Sequence, residues 1–266
     1  IIFISCADIN EDVAKLCAEK YNIKFQSVDD LLNNNNVDIV LNLTNPGAHY
    51  EVIKKTLQAG KHSYSEKPLS TSFEQGKELV NIAKEKKLYL GNAPDTFLGG
   101  GGQLTRNLID SGFLGNIKLG NFIFASPGLE SWHPNPEPWF QSNGGGPVMD
   151  MCPYFYTMLV NFLGPAKSVR SYSTSVHEHR IIGSGSKKGN IFKVETPTSY
   201  MIIIEFCNGA IIEGFTSFDV INHRRNHMEL YGTKGSIIVP DPNMFGGPVF
   251  TSISEGEQWE EHSADE

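Results

Sequence analysis

The sequence predicts an α/β protein in two parts: a parallel, doubly wound sheet over residues 1–95, and helices with an open, mainly antiparallel sheet over 96–266. Three observations carry this. Apolar strand patterns alternate with helical ones through residue 95, which is the order a parallel sheet requires. Beyond that point consecutive strand patterns follow one another through hairpin turns. A chain of 266 residues also has enough surface to bury for two ordinary cores.

Taken in order, "IIFISCA" is a buried-strand run, and "EDVAKLCAEKY" places Val13, Leu16 and Cys17 at helical spacing. "VDDLLNN" is a short helix and "VDIVLNL" a strand. Pro46 opens the helix "PGAHYEVIKKTLQAG", where the first turn tolerates a proline. "KHSYSE" is a strand, "FEQGKELVNIAKEKK" a charged, solvent-facing helix, and "LYLG" another strand. In the second part the helix "QLTRNLIDSG" leads to the strand "IKLGNFIFA". A loop rich in Pro, Trp and Gly follows over 126–147, and then one apolar helix, "VMDMCPYFYTMLVNFLG". "SVRSYSTSV", "TSYMIIIEF", "AIIEGFTSF", "NHMELYG" and "SIIVP" are strands, with turn chemistry at "CNGA" and "GTKGS". "NNNN" at 33–36 is a helix exit or loop.

Charge and composition exclude several roles. Acidic residues outnumber Lys plus Arg by 30 to 22, a formal net charge of -8, which argues against a binder of nucleic-acid backbones. No apolar run approaches the roughly 20 residues of a membrane-spanning helix. The four cysteines, Cys6, Cys17, Cys152 and Cys207, are scattered, as expected of a reduced, cytoplasmic protein.

"IIFISCADIN" looks like the second strand of a nucleotide-binding βαβ unit. It ends at Asp8, where an acidic residue would hold the ribose hydroxyls of NAD. No first strand or glycine-rich turn precedes Ile1. Either the fold does not bind a dinucleotide, or the first strand and glycine loop lie outside this chain.

The motifs "ADIN" (7–10), "TNPGAHYEVIKKTLQAGKHSYSEKPLS" (44–70), "LIDSGFLGNI" (108–117), "GGGPVMDMCPY" (144–154) and "ELYGTKGSI" (229–237) occur in order at compatible spacings. Together they resemble the glucose-fructose oxidoreductase and inositol dehydrogenase family, Gfo/Idh/MocA, over nearly the whole chain. The resemblance implies an N-terminal Rossmann NAD(P)-binding domain and a C-terminal α/β domain for substrate binding and oligomerisation. It also implies that about 30 residues carrying the glycine fingerprint lie outside the sequence, and that the C-terminus is short as well.

Lys67 matches the lysine of the family's Glu-Lys-Pro motif, which reaches the substrate hydroxyl beside the nicotinamide. The physics agrees: Pro68 restricts Lys67 to extended angles, and the strand end puts it where open α/β sheets bind ligands. The plain alternative is a solvated Glu66–Lys67 pair. Asp150 and Tyr154, four apart on an expected helix, share a face after the glycines Gly144 to Gly146. Many relatives carry histidine at the position of Tyr154. Tyrosine there resembles glucose-fructose oxidoreductase and the dimeric dihydrodiol dehydrogenases, where it is the acid/base. A free tyrosine titrates near ~10, and the ammonium of Lys67 is the group to lower it. Phe155 and Tyr156 read as core. The family's further Asp, three residues on, is Thr157 here.

In "ESWHPNPEPWF" (130–140), Trp132 and His133 are candidates for stacking on and hydrogen-bonding a sugar-like ring; a proline-stiffened surface loop is the alternative. Thr44, Asn45 and His49 stand at a strand-to-helix turn expected to line the cofactor, although His49 could be a packing histidine. With Asp8, Ile9, Glu66 and Lys67 they complete the expected cofactor set. "GGGG" (99–102) lacks the spacing of a phosphate loop and reads as a flexible lead into a helix. His223 and His227 read as strand residues roughly 13 Å apart, so no metal site is expected.

These readings imply an NAD-dependent oxidoreductase, with NADP less favoured because Asp8 would repel a 2′-phosphate. It would act on a sugar or cyclic polyol, with Lys67, Asp150 and Tyr154 as one catalytic unit. Oxidation of dihydrodiols, or a non-catalytic sugar or dinucleotide sensor on the same fold, are the alternatives. The apolar strand "SYMIIIEF" further suggests a homodimer or homotetramer joined through the C-terminal sheet.

Overall fold

Strands and helices alternate through the first part as the sequence pattern requires. The structure, a computed structural model, describes residues 1–141, 144–253 and 258–263. Its chain divides into two compact units, Ile1–Ala93 and Pro94–Glu266. The first unit runs β1 (Ser5–Cys6), α1 (Glu11–Tyr21), β2 (Lys24–Phe25), α2 (Val28–Asn33), β3 (Ile39–Asn42), α3 (Pro46–Gln58), β4 (His62–Ser65), α4 (Phe73–Lys86) and β5 (Leu90–Asn92). All its strand pairs are parallel, in two ladders: β1 with β2, and β3–β4–β5 in order.

Local chemistry sets these boundaries. Asn10 caps α1 by accepting from the amides of Asp12 and Val13, and Ser72 caps α4 by accepting from Gln75. Asn22 and Lys87 end the same helices in the left-handed region. Lys61 is buried, and its Nζ donates to the carbonyls of Asn34 (2.7 Å) and Val37 (2.8 Å), which fixes the exit of the asparagine run. Ile53, Leu57, Leu79 and Ala83, from α3 and α4, form the apolar cluster of this unit. The strand expected over residues 1–7 pairs only at Ser5–Cys6, and β2 was not expected at all. Two-residue ladders are too short to show a period.

The second unit opens with a 3₁₀ turn (Thr96–Leu98), then α5 (Gly100–Asp110), β6 (Ile117–Ala125), α6 (Pro138–Gln141), α7 (Gly146–Asp150) and α8 (Cys152–Leu163). The strands β7 (Ala166–Thr174), β8 (His179–Ile181), β9 (Ile191–Lys193), β10 (Ser199–Phe206), β11 (Ile211–Ser217), β12 (Met228–Gly232), β13 (Ser236–Val239), β14 (Val249–Ser252) and β15 (Glu260–His262) follow. Among the described residues, seven of these strands and β6 make one eight-stranded sheet, ordered β15-β14-β13-β12-β6-β11-β10-β7, in which only β6 and β11 pair in parallel. β8 and β9 form a separate hairpin. Phe155, Met158, Leu159 and Phe162 of α8 pack with Phe122, Ile202, Ile204, Ile212 and Leu230 of the sheet.

Three expectations are corrected. The single helix over 148–164 is two, α7 and α8, separated at Met151. Pro153 has no N–H to donate to a preceding turn, so a continuous helix would lose that bond, whereas the first turn of a new helix loses nothing. The tetraglycine is no flexible lead: three of its glycines lie in α5, and a Cβ on Gly101 would meet Pro240 Cγ at 2.7 Å. His223 and His227 precede β12 in irregular backbone, and their rings lie 6.5 Å apart, much closer than strand spacing gives.

Arg180 of β8 organises the loop after β6. Its side chain is buried and donates to the Pro127 carbonyl (3.0 Å) and the Phe218 carbonyl (2.8 Å). It pairs with Glu130 and with Asp219, and it stacks over Phe140 at 4.8 Å. Burial resists ionisation of Asp219, but the hydroxyls of Ser199 and Thr198, together with Arg180, outweigh it and hold the carboxyl below its usual range. A depressed folded value means stability that is fully present above the unfolded value, about 4, and is lost as pH falls through the folded one. Arg180→Met should therefore cost about 3–5 kcal/mol in urea unfolding at neutral pH, since it removes the cation from the enclosed Asp219 carboxylate and from the part-buried Glu130. The variant should also lose less further stability than the wild type on acidification below about pH 4.

Candidate functional site

At the carboxyl ends of β3, β4 and β5, side-chain amides satisfy the backbone that the ladders leave open. Asn42 is buried; its Nδ2 donates to Ser65 Oγ (3.0 Å), while its Oδ1 accepts from the Thr44 amide (3.2 Å) and Thr44 Oγ1 (2.8 Å). The Glu66 amide donates to the Asn42 carbonyl (2.9 Å). Asn92 Nδ2 donates to the carbonyls of Ser65 and Glu66, both at 2.9 Å. Glu66 turns back on its own backbone, with Oε2 accepting the Lys67 amide at 3.1 Å. The Lys67–Pro68 peptide is cis. Lys67 thus leaves the sheet from a corner braced by two asparagines.

His49, in the first turn of α3, is fully buried. Its Nδ1 lies 2.6 Å from the Pro68 carbonyl and its Nε2 2.8 Å from the Thr44 carbonyl. Both nitrogens are engaged, so any influence on a ligand passes through those two turns. Asn45 caps α3 without a side-chain bond. At the other ladder Asp8 lies in the exposed β1–α1 turn, its Oδ1 accepting the Asn10 amide at 2.8 Å, with the Ile9 side chain 97 % exposed beside it.

In the second unit Asp150 ends α7, and Tyr154 is the third residue of α8, partly buried against the main core. The break at Met151 replaces the simple one-face relation expected of them. Gly146, at φ +77°, starts α7, and a Cβ there would come within 3.0 Å of the Pro197 carbonyl, so backbone packing accounts for that glycine. Phe155 is fully buried. Tyr156 packs against the core, and burial foremost, with Cys152 beside it, pushes its phenol far above the ordinary value. Trp132 is 67 % exposed, whereas His133 lies 4.7 Å from the ring of Trp139 and accepts the Asn135 amide at its Nδ1 (3.1 Å). Among the described residues, no group of three His, Cys, Asp or Glu is placed to hold a metal ion, and no helix is long and apolar enough to cross a membrane.

Sequence reasoning missed Asn42, Asn92 and Arg180. The asparagines had a weak signal, being polar residues at the ends of apolar strands. Arg180 had none, since its partners lie 38 to 53 residues away.

The fold has close counterparts. An apo levoglucosan dehydrogenase structure aligns with a TM-score of 0.83 at 21% identity, covering 98% of this chain and 71% of that one. A levoglucosan dehydrogenase solved with NADH and levoglucosan gives 0.82 at 20% identity, covering 98% and 70%. Among curated proteins, the D-xylose dehydrogenase of Paenarthrobacter nicotinovorans is 28% identical over 71% of this chain and 52% of its own length. The dTDP-3,4-didehydro-2,6-dideoxy-alpha-D-glucose 3-reductase of Saccharopolyspora spinosa is 27% identical over 86% and 64%. The chain therefore spans between half and two thirds of these two relatives. Residues 3–93 match the oxidoreductase family with an NAD-binding Rossmann fold, and residues 103–238 match the GFO/IDH/MocA C-terminal domain. A braced Glu-Lys-Pro corner in the one unit, an eight-stranded sheet under α8 in the other, and family matches across both make this chain a member of the Gfo/Idh/MocA family.

Proposed function

We propose that this protein is an NAD-dependent oxidoreductase that transfers a hydride between nicotinamide and a hydroxyl-bearing carbon of a sugar or cyclic polyol. The observation that carries the reading is the corner at Glu66–Pro68, where asparagine side chains fix the backbone on which Lys67 stands. The names of the two curated relatives, a sugar dehydrogenase and a nucleotide-sugar reductase, support the substrate class.

The residues fit the cofactor. The Asp8 carboxylate, in an exposed turn after a parallel strand, has the chemistry to accept from two ribose hydroxyls and to repel a 2′-phosphate. Ile9, the Thr44–Asn45 turn and Glu66 would line the same ligand. Bound NAD supplies the hydride acceptor. In our reading Lys67 donates a hydrogen bond to the substrate oxygen, Tyr154 takes the hydroxyl proton, and Asp150 holds a neighbouring hydroxyl. Trp132 offers an exposed ring for the sugar face, and His133 retains Nε2 for a hydrogen bond.

The same reading includes self-association. Leu119, Met201, Ile203 and Ile211 are exposed large apolar residues on neighbouring strands of the main sheet. The core residues Ile202, Ile204 and Ile212 alternate with them toward α8. An apolar surface of this kind suits a homodimer or homotetramer. Four free cysteines support a reducing, cytoplasmic setting.

Three measurements test this. Tyr154→Phe should lower kcat by about 10²–10⁴ with cofactor affinity retained, Lys67→Ala should cost at least as much, and the double variant should fall far short of the product. Wild-type turnover surviving both would remove the assignment. Asp8→Ser should weaken NAD binding and narrow the preference against NADP, read by fluorescence titration of both reduced cofactors. Light scattering should give an oligomer at micromolar concentration, and Met201→Glu with Ile203→Glu should shift it toward monomer.

A further inference from the structure

We infer that His49 carries a proton on both ring nitrogens and clamps the turn after β3 to the Lys67–Pro68 step, which makes it a positioning residue for Lys67. The clamp stands on hydrogen-bond geometry alone; its consequence for catalysis rests on the dehydrogenase reading above.

The ring is fully buried, with Nδ1 2.6 Å from the Pro68 carbonyl and Nε2 2.8 Å from the Thr44 carbonyl. A carbonyl oxygen can only accept, and a neutral imidazole has one N–H. In either neutral tautomer one ring lone pair would face a carbonyl lone pair at hydrogen-bond distance, away from water. That arrangement loses a bond and adds repulsion. With both nitrogens protonated, each carbonyl receives a charge-assisted bond. Burial away from water and the N-terminal end of α3, where His49 sits, both disfavour a cation; the two charge-assisted bonds, and the lone-pair clash that either neutral tautomer would leave, oppose them.

The placement gives the clamp its effect. The peptide before Lys67 is held by the Glu66 amide on the Asn42 carbonyl and by Asn92 Nδ2 on the Glu66 carbonyl. His49 holds the carbonyl of the residue after Lys67. Its other nitrogen holds Thr44, whose amide and hydroxyl both donate to Asn42. One buried ring therefore ties the carbonyl after Lys67 to the β3–α3 turn, a link separate from the asparagine bonds at Ser65 and Glu66.

Two measurements on the full chain decide this. Long-range ¹H–¹⁵N correlation of the wild type at neutral pH should show protonated-type shifts at both His49 nitrogens; a pyridine-type shift at either one overturns the inference. Amide hydrogen exchange should show protection at Glu66, Lys67 and Leu69 falling about tenfold or more in His49→Gln, which retains only one donor group. Unchanged protection there overturns the clamp. For catalysis, His49→Gln should lower kcat about 10–100-fold in the wild type and add nothing in a Lys67→Ala background. Equal losses in both backgrounds would make His49 merely structural. The two spectroscopic readouts need no turnover, so an inactive wild type would sink the dehydrogenase reading and still leave the clamp decided.

Discussion

The main core of the second unit is one apolar layer, the face of α8 pressed against the eight-stranded sheet. Phe155, Met158, Leu159 and Phe162 are buried from the helix, and Phe122, Ile202, Ile204 and Ile212 from the strands. At roughly 1.5–3 kcal/mol for each large side chain taken from water, no other rotation of α8 competes. Tyr154 stands one residue before Phe155, on the flank of that face, and its direction is settled by its neighbours' burial. Pro153 makes the helix begin just before it, so α7 can arrive at its own angle with Asp150 at its end.

The first unit builds its corner by other means. Its apolar cluster lies under α3 and α4, and the carboxyl ends of the strands are held by polar side chains. Asn42 and Asn92 donate and accept where another strand residue would otherwise do so, without closing the edge to a ligand. Side-chain amides of this kind hold the backbone on either side of Glu66 through hydrogen bonds of 2.9–3.0 Å. Packing fixes the helix that carries Tyr154; hydrogen bonds fix the turn that carries Lys67.

Much of this was legible in local sequence. Pro46 marks the start of α3, "CNGA" and "GTKGS" mark two hairpin turns, and the strand "KHSYSE" runs one residue past β4 at each end. Each rests on chemistry within a few residues. Pro153 also announced the break between α7 and α8, but the apolar run around it reads as one helix because hydrophobicity does not register a missing donor. The hairpin of β8 and β9 was hidden because its strands are three residues long. Arg180 and Asn92 were hidden for a different reason. Their partners are distant in sequence, and nothing in a single chain of letters says which buried carbonyl a side chain will meet. His49 stood between a packing and a ligand role, and only the two carbonyls facing it decide what its nitrogens do.

The two separate parallel ladders give the first unit an uneven grain. β1 and β2 contribute two residues each, and of α1 only Ala14 and Ala18 are buried, whereas α3 and α4 share a proper core. Segments with so little burial open locally at a small fraction of the global unfolding free energy. The turn that carries Asp8 sits on this thinly packed part of the unit, while Lys67 follows a backbone held by hydrogen bonds from Asn42 and Asn92. A ligand reaching both would bind a rigid end and recruit a soft one, and its binding free energy would appear as order gained in α1 and α2.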